Sequence, residues 1–188
     1  VQSMNQEVLT SIKRSNIKLD TYASLQKEVQ ARGRQSYAEV IIALPGETLE
    51  SFLKGICQLL DVGTQQVTCY QLMLLDGTEL NDRETRERYG FKTKYRVLPR
   101  SFGVYDGHPV FEIEEIVVET NAMSFEDYLE CRKLQLILDV FHREGFFQEF
   151  LGYLSCNDVT ISSFIMDLLG HINEAPAEVQ DLFSDYLG

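Results

Sequence analysis

The chain has 188 residues, 44% hydrophobic and 24% charged, ordinary proportions for a soluble globular protein, and a net charge of -12 at pH 7. A surface this acidic repels phosphate backbones, which argues against a nucleic-acid binder, and no apolar run is long enough to cross a bilayer, which argues against a membrane protein. The four cysteines, Cys57, Cys69, Cys131 and Cys156, show no CxxC or CxxxCxxC spacing and so offer no local zinc or iron–sulfur site. No basic segment with an apolar core follows Val1, so no signal peptide is expected. Cys57 and Cys69 lie in apolar surroundings and suit reduced thiols of a cytoplasmic protein. His108, His142 and His171 stand singly and read as structural or exposed.

Ser3 can cap a first helix over residues 4–13, with Met4, Val8, Leu9 and Ile12 on one face. Asp20 can cap a second over residues 20–32, which buries Tyr22, Leu25 and Val29 and stops at Gly33. Residues 37–44 form a near-continuous apolar run, the pattern of a strand covered on both faces. Pro45-Gly46 ends it, and Thr48 caps a third helix that turns Phe52, Ile56, Leu59 and Leu60 inward and ends near Gly63. Residues 66–75 read as the next strand, closed by Asp76-Gly77. Helix, strand, helix, strand with short connections is βα winding, for which a parallel sheet or barrel is the economical solution.

Beyond Leu80 the rhythm changes. A short charged helix over residues 81–89 precedes an extended stretch over 94–100 and a strand over 109–118, where Phe111 and Ile113 alternate with Glu112 and Glu114. Those two glutamates read as a solvated face. Arg83, Arg86, Arg88, Lys92, Lys94, Arg96 and Arg100 form a basic stretch, either a solvated connection or a patch for an anionic substrate or an acidic neighbour. Ser124 and Asp127 make a capping pair for a helix reaching about Glu144 and stopping at Gly145, with Leu134, Leu138 and Phe141 as its stripe. Further helices are expected over 147–154, 160–172 and 177–186. There is no internal repeat. A boundary between Leu80 and Gly90 divides the chain into residues 1–85 and 86–188.

No GxGxxG, GxxxxGK[ST] or GxSxG is present, and no nucleophilic triad is suggested by spacing. The informative residue is Glu39. A carboxylate inside a buried strand must be paired or hydrogen-bonded. Its partner is either an arginine or backbone amide, or the hydroxyl pair of a ligand.

The stretch Tyr37-Ala38-Glu39-Val40-Ile41-Ile42-Ala43-Leu44-Pro45-Gly46-Glu47-Thr48-Leu49-Glu50-Ser51-Phe52 resembles the fifth-strand motif of radical S-adenosylmethionine (radical SAM) enzymes. That motif is an acidic residue, an apolar triplet, then G-L/F-P-G-E/Q-T and a helix with Phe. Val1-Gln2-Ser3-Met4-Asn5, with Val8-Leu9 and Lys13-Arg14-Ser15-Asn16, resembles the end of the fourth strand and the helix after it. Tyr70 and the residues to Leu80 resemble the sixth strand, where L-P-G-T-E-L is common. Tyr89-Gly90-Phe91 and residues 111–128 are similar to members with a cobalamin-binding domain upstream, a subgroup that includes anaerobic magnesium-protoporphyrin IX monomethyl ester cyclases.

The resemblance implies a fold and a division of labour. The fold is α/β, the C-terminal half of a partial (βα)6 TIM-like barrel with parallel strands, followed by a mostly helical extension. Gln2 and Glu39 match the residues that contact the ribose, Ile41 the apolar residue packed on adenine, and Met73, or Leu72, the sixth-strand backbone near adenine. Apart from the family, Gln2 reads as a frayed terminal side chain and Ile41 as core. Ala43 stands where the family has glycine and Asp76 where it has proline. The CxxxCxxC cluster loop and the Gly-Gly-Glu strand are absent.

The implied parent is an oxidoreductase or cyclase-like enzyme. It cleaves S-adenosylmethionine reductively at a 4Fe–4S cluster and uses the 5′-deoxyadenosyl radical on a small-molecule substrate, with cobalamin as a candidate further cofactor. The present chain would hold part of the adenosyl site and be inactive alone. Its open strand edges favour self-association. The competing expectation is a non-catalytic α/β interaction module that docks through the basic stretch and the acidic tail.

Overall fold

The computed structural model describes residues 1–143 and 145–188. Helix α1 (Gln6–Ser11) is capped by Asn5, whose Oδ1 accepts from the backbone N–H groups of Glu7 and Val8. Ser3, the expected cap, instead donates its hydroxyl to the Glu47 carboxylate at 2.5 Å. Helix α2 (Leu19–Ala31) begins one residue before the expected cap, so Asp20 lies in the first turn, favourably placed against the helix dipole. Gly33, at φ +64°, takes the left-handed turn that ends the helix.

Strand β1 (Tyr37–Ile42) is shorter than expected and is covered on one face only. Ala38, Val40 and Ile42 are buried, while Tyr37 and Glu39 are exposed and Ile41 is half-buried. The run of apolar residues concealed an ordinary two-residue alternation, and Glu39 lies on its open side. The acid that is buried is Glu47, 1% exposed, in the turn after the strand. Helix α3 (Leu49–Asp61) starts on a capping box in which Thr48 and Ser51 exchange backbone-to-side-chain bonds at 3.1 Å. It buries Phe52, Ile56, Leu59 and Leu60 as its spacing dictates. Strand β2 (Gln66–Gln71) pairs parallel with β1 from Tyr37↔Gln66 to Ile42↔Gln71.

The expected continuation of β2 to Leu75 does not occur. Met73 forms a bridge to Ile116, Val117 N–H donates to the Leu72 carbonyl and Leu74 N–H to that of Glu115. These bonds join the parallel pair to an antiparallel hairpin, β3 (Lys92–Tyr105) and β4 (His108–Glu119), reached through helix α4 (Arg83–Tyr89). Asp106 and Gly107, both at positive φ, form the two-residue turn. The architecture is therefore α/β with one parallel pair and one antiparallel pair among the described residues, and no closed barrel.

Helix α5 (Phe125–Leu138) begins on the Ser124–Asp127 capping box and runs into a π-helical turn, Asp139–Arg143. Its expected end at Glu144 lies outside the described residues. Helices α6 (Gln148–Cys156), α7 (Ile161–Gly170) and α8 (Ala177–Leu187) complete the chain. One buried cluster unites Val40, Ile42 and Val67 of the parallel pair with Leu59 of α3, Leu134 and Leu138 of α5 and Ile165 of α7. The helical half thus covers one face of β1 and β2 and leaves the other open.

Candidate functional site: the open face of the parallel strands

Parallel register brings residues from distant parts of the sequence side by side. Glu39 lies opposite Thr68, and Ile41 opposite Tyr70, all on the face the helices do not cover. The Tyr70 hydroxyl donates to Glu39 Oε1 at 3.4 Å. The predicted alternatives for Glu39 included an arginine; its partner here is this phenol, and the carboxylate is exposed. Gln2 flanks β1 on its other edge, where its carbonyl accepts from Ile41 N–H at 3.0 Å. Gln2, Glu39, Ile41 and Tyr70 therefore converge at one strand pair. Met73 sits past the end of β2, exposed, at the junction with the hairpin, and Leu72 beside it is buried.

Tyr70 was missed in the sequence, although alternation through β2 puts it on the open face; its place beside Ile41 depends on register, which is a long-range property. Glu47 was missed as well. Its two oxygens accept from Ser3 Oγ and Ser51 Oγ, so it ties the segment bearing Gln2 to the start of α3 behind the open face. This anchor explains how a terminal segment holds its place against β1.

The basic stretch is largely consumed within the chain. Arg83 pairs with Glu87 at 2.7 Å, Lys92 with Glu119 at 2.5 Å and Arg96 with Glu114 at 2.6 Å, and Lys94 lies 4.5 Å over the Phe125 ring. Arg86 forms a forked pair with Glu115 and also bonds Asn81. That hydrogen bond from Arg86 holds the Glu115 carboxyl below the usual carboxylate range. A continuous cationic docking patch is thus not what the stretch presents.

The thiols do not fit an iron–sulfur cluster. Cys69 and Cys131 are buried in the core, and burial pushes both thiols well above the ordinary range, the opposite of the thiolate a cluster requires. All four cysteines are unpaired, and among the described residues no group of three or more His, Cys, Asp or Glu side chains could hold a metal ion. Nor is any described helix long and apolar enough to cross a membrane.

No protein-family model matches the chain. Similarity to curated proteins is informative. The cobalamin-dependent radical SAM methyltransferase TokK of Streptomyces tokunonensis is 39% identical over 133 residues, 69% of this chain and 19% of that protein. The 2-(S-pantetheinyl)-carbapenam-3-carboxylate methyltransferase of Streptantibioticus cattleyicolor is 29% identical over 199 aligned residues, covering 100% of this chain and 29% of that protein. These similarities support the radical SAM family. The heme chaperone HemW of Lactococcus lactis adds a shorter match, 29% identical over 86 residues, 46% of this chain and 23% of that protein. The chain thus spans between 19% and 29% of the length of these relatives. The open face carrying Glu39 and Ile41 is made by the same residues whose sequence resembles the radical SAM fifth strand.

Proposed function

We propose that this chain supplies the ribose- and adenine-facing part of an S-adenosylmethionine site in a longer, cobalamin-dependent radical SAM methyltransferase. The observation that carries the reading is the one-sided burial of β1 and β2. Helices cover Ala38, Val40 and Ile42, while on the other face Glu39 and Tyr70 are exposed and Ile41, in register with Tyr70, is half-buried. A carboxylate offers two acceptor oxygens to a ribose diol. Tyr70 orients Oε1 of Glu39 and leaves Oε2 for the ligand. Ile41 gives adenine an apolar surface, Gln2 reaches the ribose from the flanking segment, and Met73 contributes backbone beside adenine. Bound S-adenosylmethionine would supply the methyl and adenosyl groups on which the parent's chemistry draws.

The 4Fe–4S cluster would belong to another part of the parent, since the cysteines here do not suit a cluster. The names of two relatives favour methyl transfer over the cyclase-like oxidation that the sequence resemblance also allowed. In this reading residues 1–85 carry the nucleoside half-site and residues 86–188 are the extension that backs it. Four free thiols suit a reducing, cytoplasmic setting.

The test is a titration of 5′-deoxyadenosine into the isotopically labelled chain, followed by amide NMR. Saturable shifts at Glu39, Ile41 and Tyr70 are expected. Glu39→Gln should weaken them by about tenfold, the scale of a hydrogen bond to a charged acceptor. Absence of saturable shifts on this face, or an unchanged affinity in the variant, overturns the reading. Anaerobic treatment with iron and sulfide should leave the chain without a 4Fe–4S absorbance; a stable cluster that cleaves S-adenosylmethionine would overturn the division of labour.

A further inference from the structure

A second concavity lies apart from the open sheet face. It is a cleft of about 730 Å³ between the end of α1, the turn at residues 78–80 and α4. That volume falls in the range of small-molecule sites, roughly 300–1,000 Å³. The cleft also has the right address. Ser11 of its wall donates to the carbonyl of Pro45, just past β1, and the 78–80 turn follows β2, so it gathers at the carboxyl ends of both parallel strands. Ligands of open α/β sheets bind at that end.

Its charge is unlike the rest of a protein carrying -12. Lys13, Arg14 and Arg88 line it against two carboxylates, Glu7 and Glu79. Lys13 Nζ lies 2.7 Å from both oxygens of Glu79 and so satisfies that acid. The two guanidinium groups and the Glu7 carboxylate are left, a net positive remainder. Arg83, Arg86 and Arg96 along the same stretch each hold a carboxylate, whereas among the described residues neither Arg14 nor Arg88 has one. Arg88 rests 5.3 Å over the Tyr89 ring, which fixes the guanidinium without neutralising it. Thr85, three residues earlier on α4, lines the cleft on the same helical face as Arg88.

We propose that this cleft binds a small molecule through a carboxylate or phosphate group held by Arg14 and Arg88. Guanidinium forks match both anions in geometry and charge. Lys13, tied to Glu79, closes one side of the cleft, and Thr85 offers a hydroxyl to the remaining oxygen. The inference stands apart from the adenosyl reading, because neither the residues nor the probes below involve the nucleoside.

The experiment is amide NMR of the whole chain titrated separately with inorganic phosphate and with succinate, against sodium chloride at matched ionic strength. At least one of the two anions should give saturable shifts at Lys13, Arg14, Thr85 and Arg88, and the tighter of the two identifies the class. The double variant Arg14→Gln/Arg88→Gln should lose about tenfold or more in affinity. Arg34→Gln, which removes an exposed arginine outside the cleft, should leave affinity unchanged. All three are surface changes, and unchanged thermal unfolding checks that the fold persists. No saturable shift with either anion, shifts that persist in the double variant, or an equal loss in Arg34→Gln overturns the proposal.

Discussion

A carboxylate that is 1% exposed needs a donor for each oxygen, and Glu47 finds one hydroxyl on either side, Ser3 and Ser51. Replacing it with alanine removes the acceptor that Ser3 and Ser51 share, leaving Ser51 only its bonds to Thr48, and frees the N-terminal segment from α3. Glu47→Ala should therefore cost about 2–4 kcal/mol in urea unfolding, and Glu47→Gln clearly less, because the amide still accepts one bond. Ala43, four residues earlier, has φ +64° where the fifth-strand motif it resembles has glycine. The strain of a left-handed alanine is about 1–2 kcal/mol. A buried methyl returns about 0.8 kcal/mol, and the lower chain entropy of alanine returns about 0.5–1 kcal/mol more. The opposing effects are of one size, which explains how alanine is tolerated.

His142 makes a pH prediction. Burial holds its imidazole down to about 4, against the opposing pull of a hydrogen bond to the Thr64 backbone, and its Nδ1 is buried without a partner among the described residues. The unfolded chain takes up a proton near 6.5, whereas the folded chain does not until about 4. The stability this residue contributes is therefore complete above about 6.5 and is lost as the pH falls toward 4. By pH 5 the loss should be about 2 kcal/mol. Unfolding free energies measured at pH 7 and pH 5 should differ by about that much, and His142→Leu should remove the difference from this site.

At the scale of elements, the legible parts are those whose signals are local. Thr48 with Ser51, and Ser124 with Asp127, announce α3 and α5 because a capping box spans four residues. The stripe Phe52, Ile56, Leu59 and Leu60 fixes which side of α3 is buried. Strand β1 was legible in place but not in orientation. Val40 to Leu44 is apolar throughout, and only Tyr37 and Glu39 disclose that one side is open. Asp106-Gly107 is the ordinary mark of a hairpin, but the irregular register between Val97 and Phe102, where Leu98, Pro99, Arg100 and Ser101 intervene, hides the alternation of β3, and the hairpin was not read from the sequence. The end of β2 was not readable at all. Leu72 to Leu75 is an apolar run that suits a longer strand, and only the arrival of β4, some forty residues later in sequence, turns those backbone groups into a bridge. The candidate site divides the same way: Glu39 and Ile41 follow from motif and alternation, whereas Tyr70 beside them follows from register alone.

At the scale of the molecule, two surfaces remain to be covered. One is the open face, with Tyr37, 71% exposed, at its start opposite Gln66 and Tyr70 at its far end opposite Ile41. The other is the hairpin. Opposed residues of an antiparallel pair share a face, so Val97 with Ile113 and Phe102 with Phe111 make one stripe, extended by Val104, and each of these side chains is at least 59% exposed. Phe102 and Phe111 already lie 6.4 Å apart, centre to centre. A contiguous apolar stripe of this kind marks an interaction surface. Gln2 occupies one position on the outer edge of β1, and β4 meets the chain just past β2. We therefore expect the isolated chain to self-associate, with the hairpin face of a second copy as the larger apolar contact beside the strand edges. Net repulsion between copies at -12 opposes this, and added salt screens it while leaving apolar burial intact. Sedimentation should accordingly give a mass above the 21.6 kDa monomer that rises with protein concentration and with salt. Phe102→Ser with Phe111→Ser should return the monomer, since both side chains are exposed and contribute little to the core. A monomer at every concentration and salt level, or association undiminished in that variant, would show that the stripe is not what joins the copies.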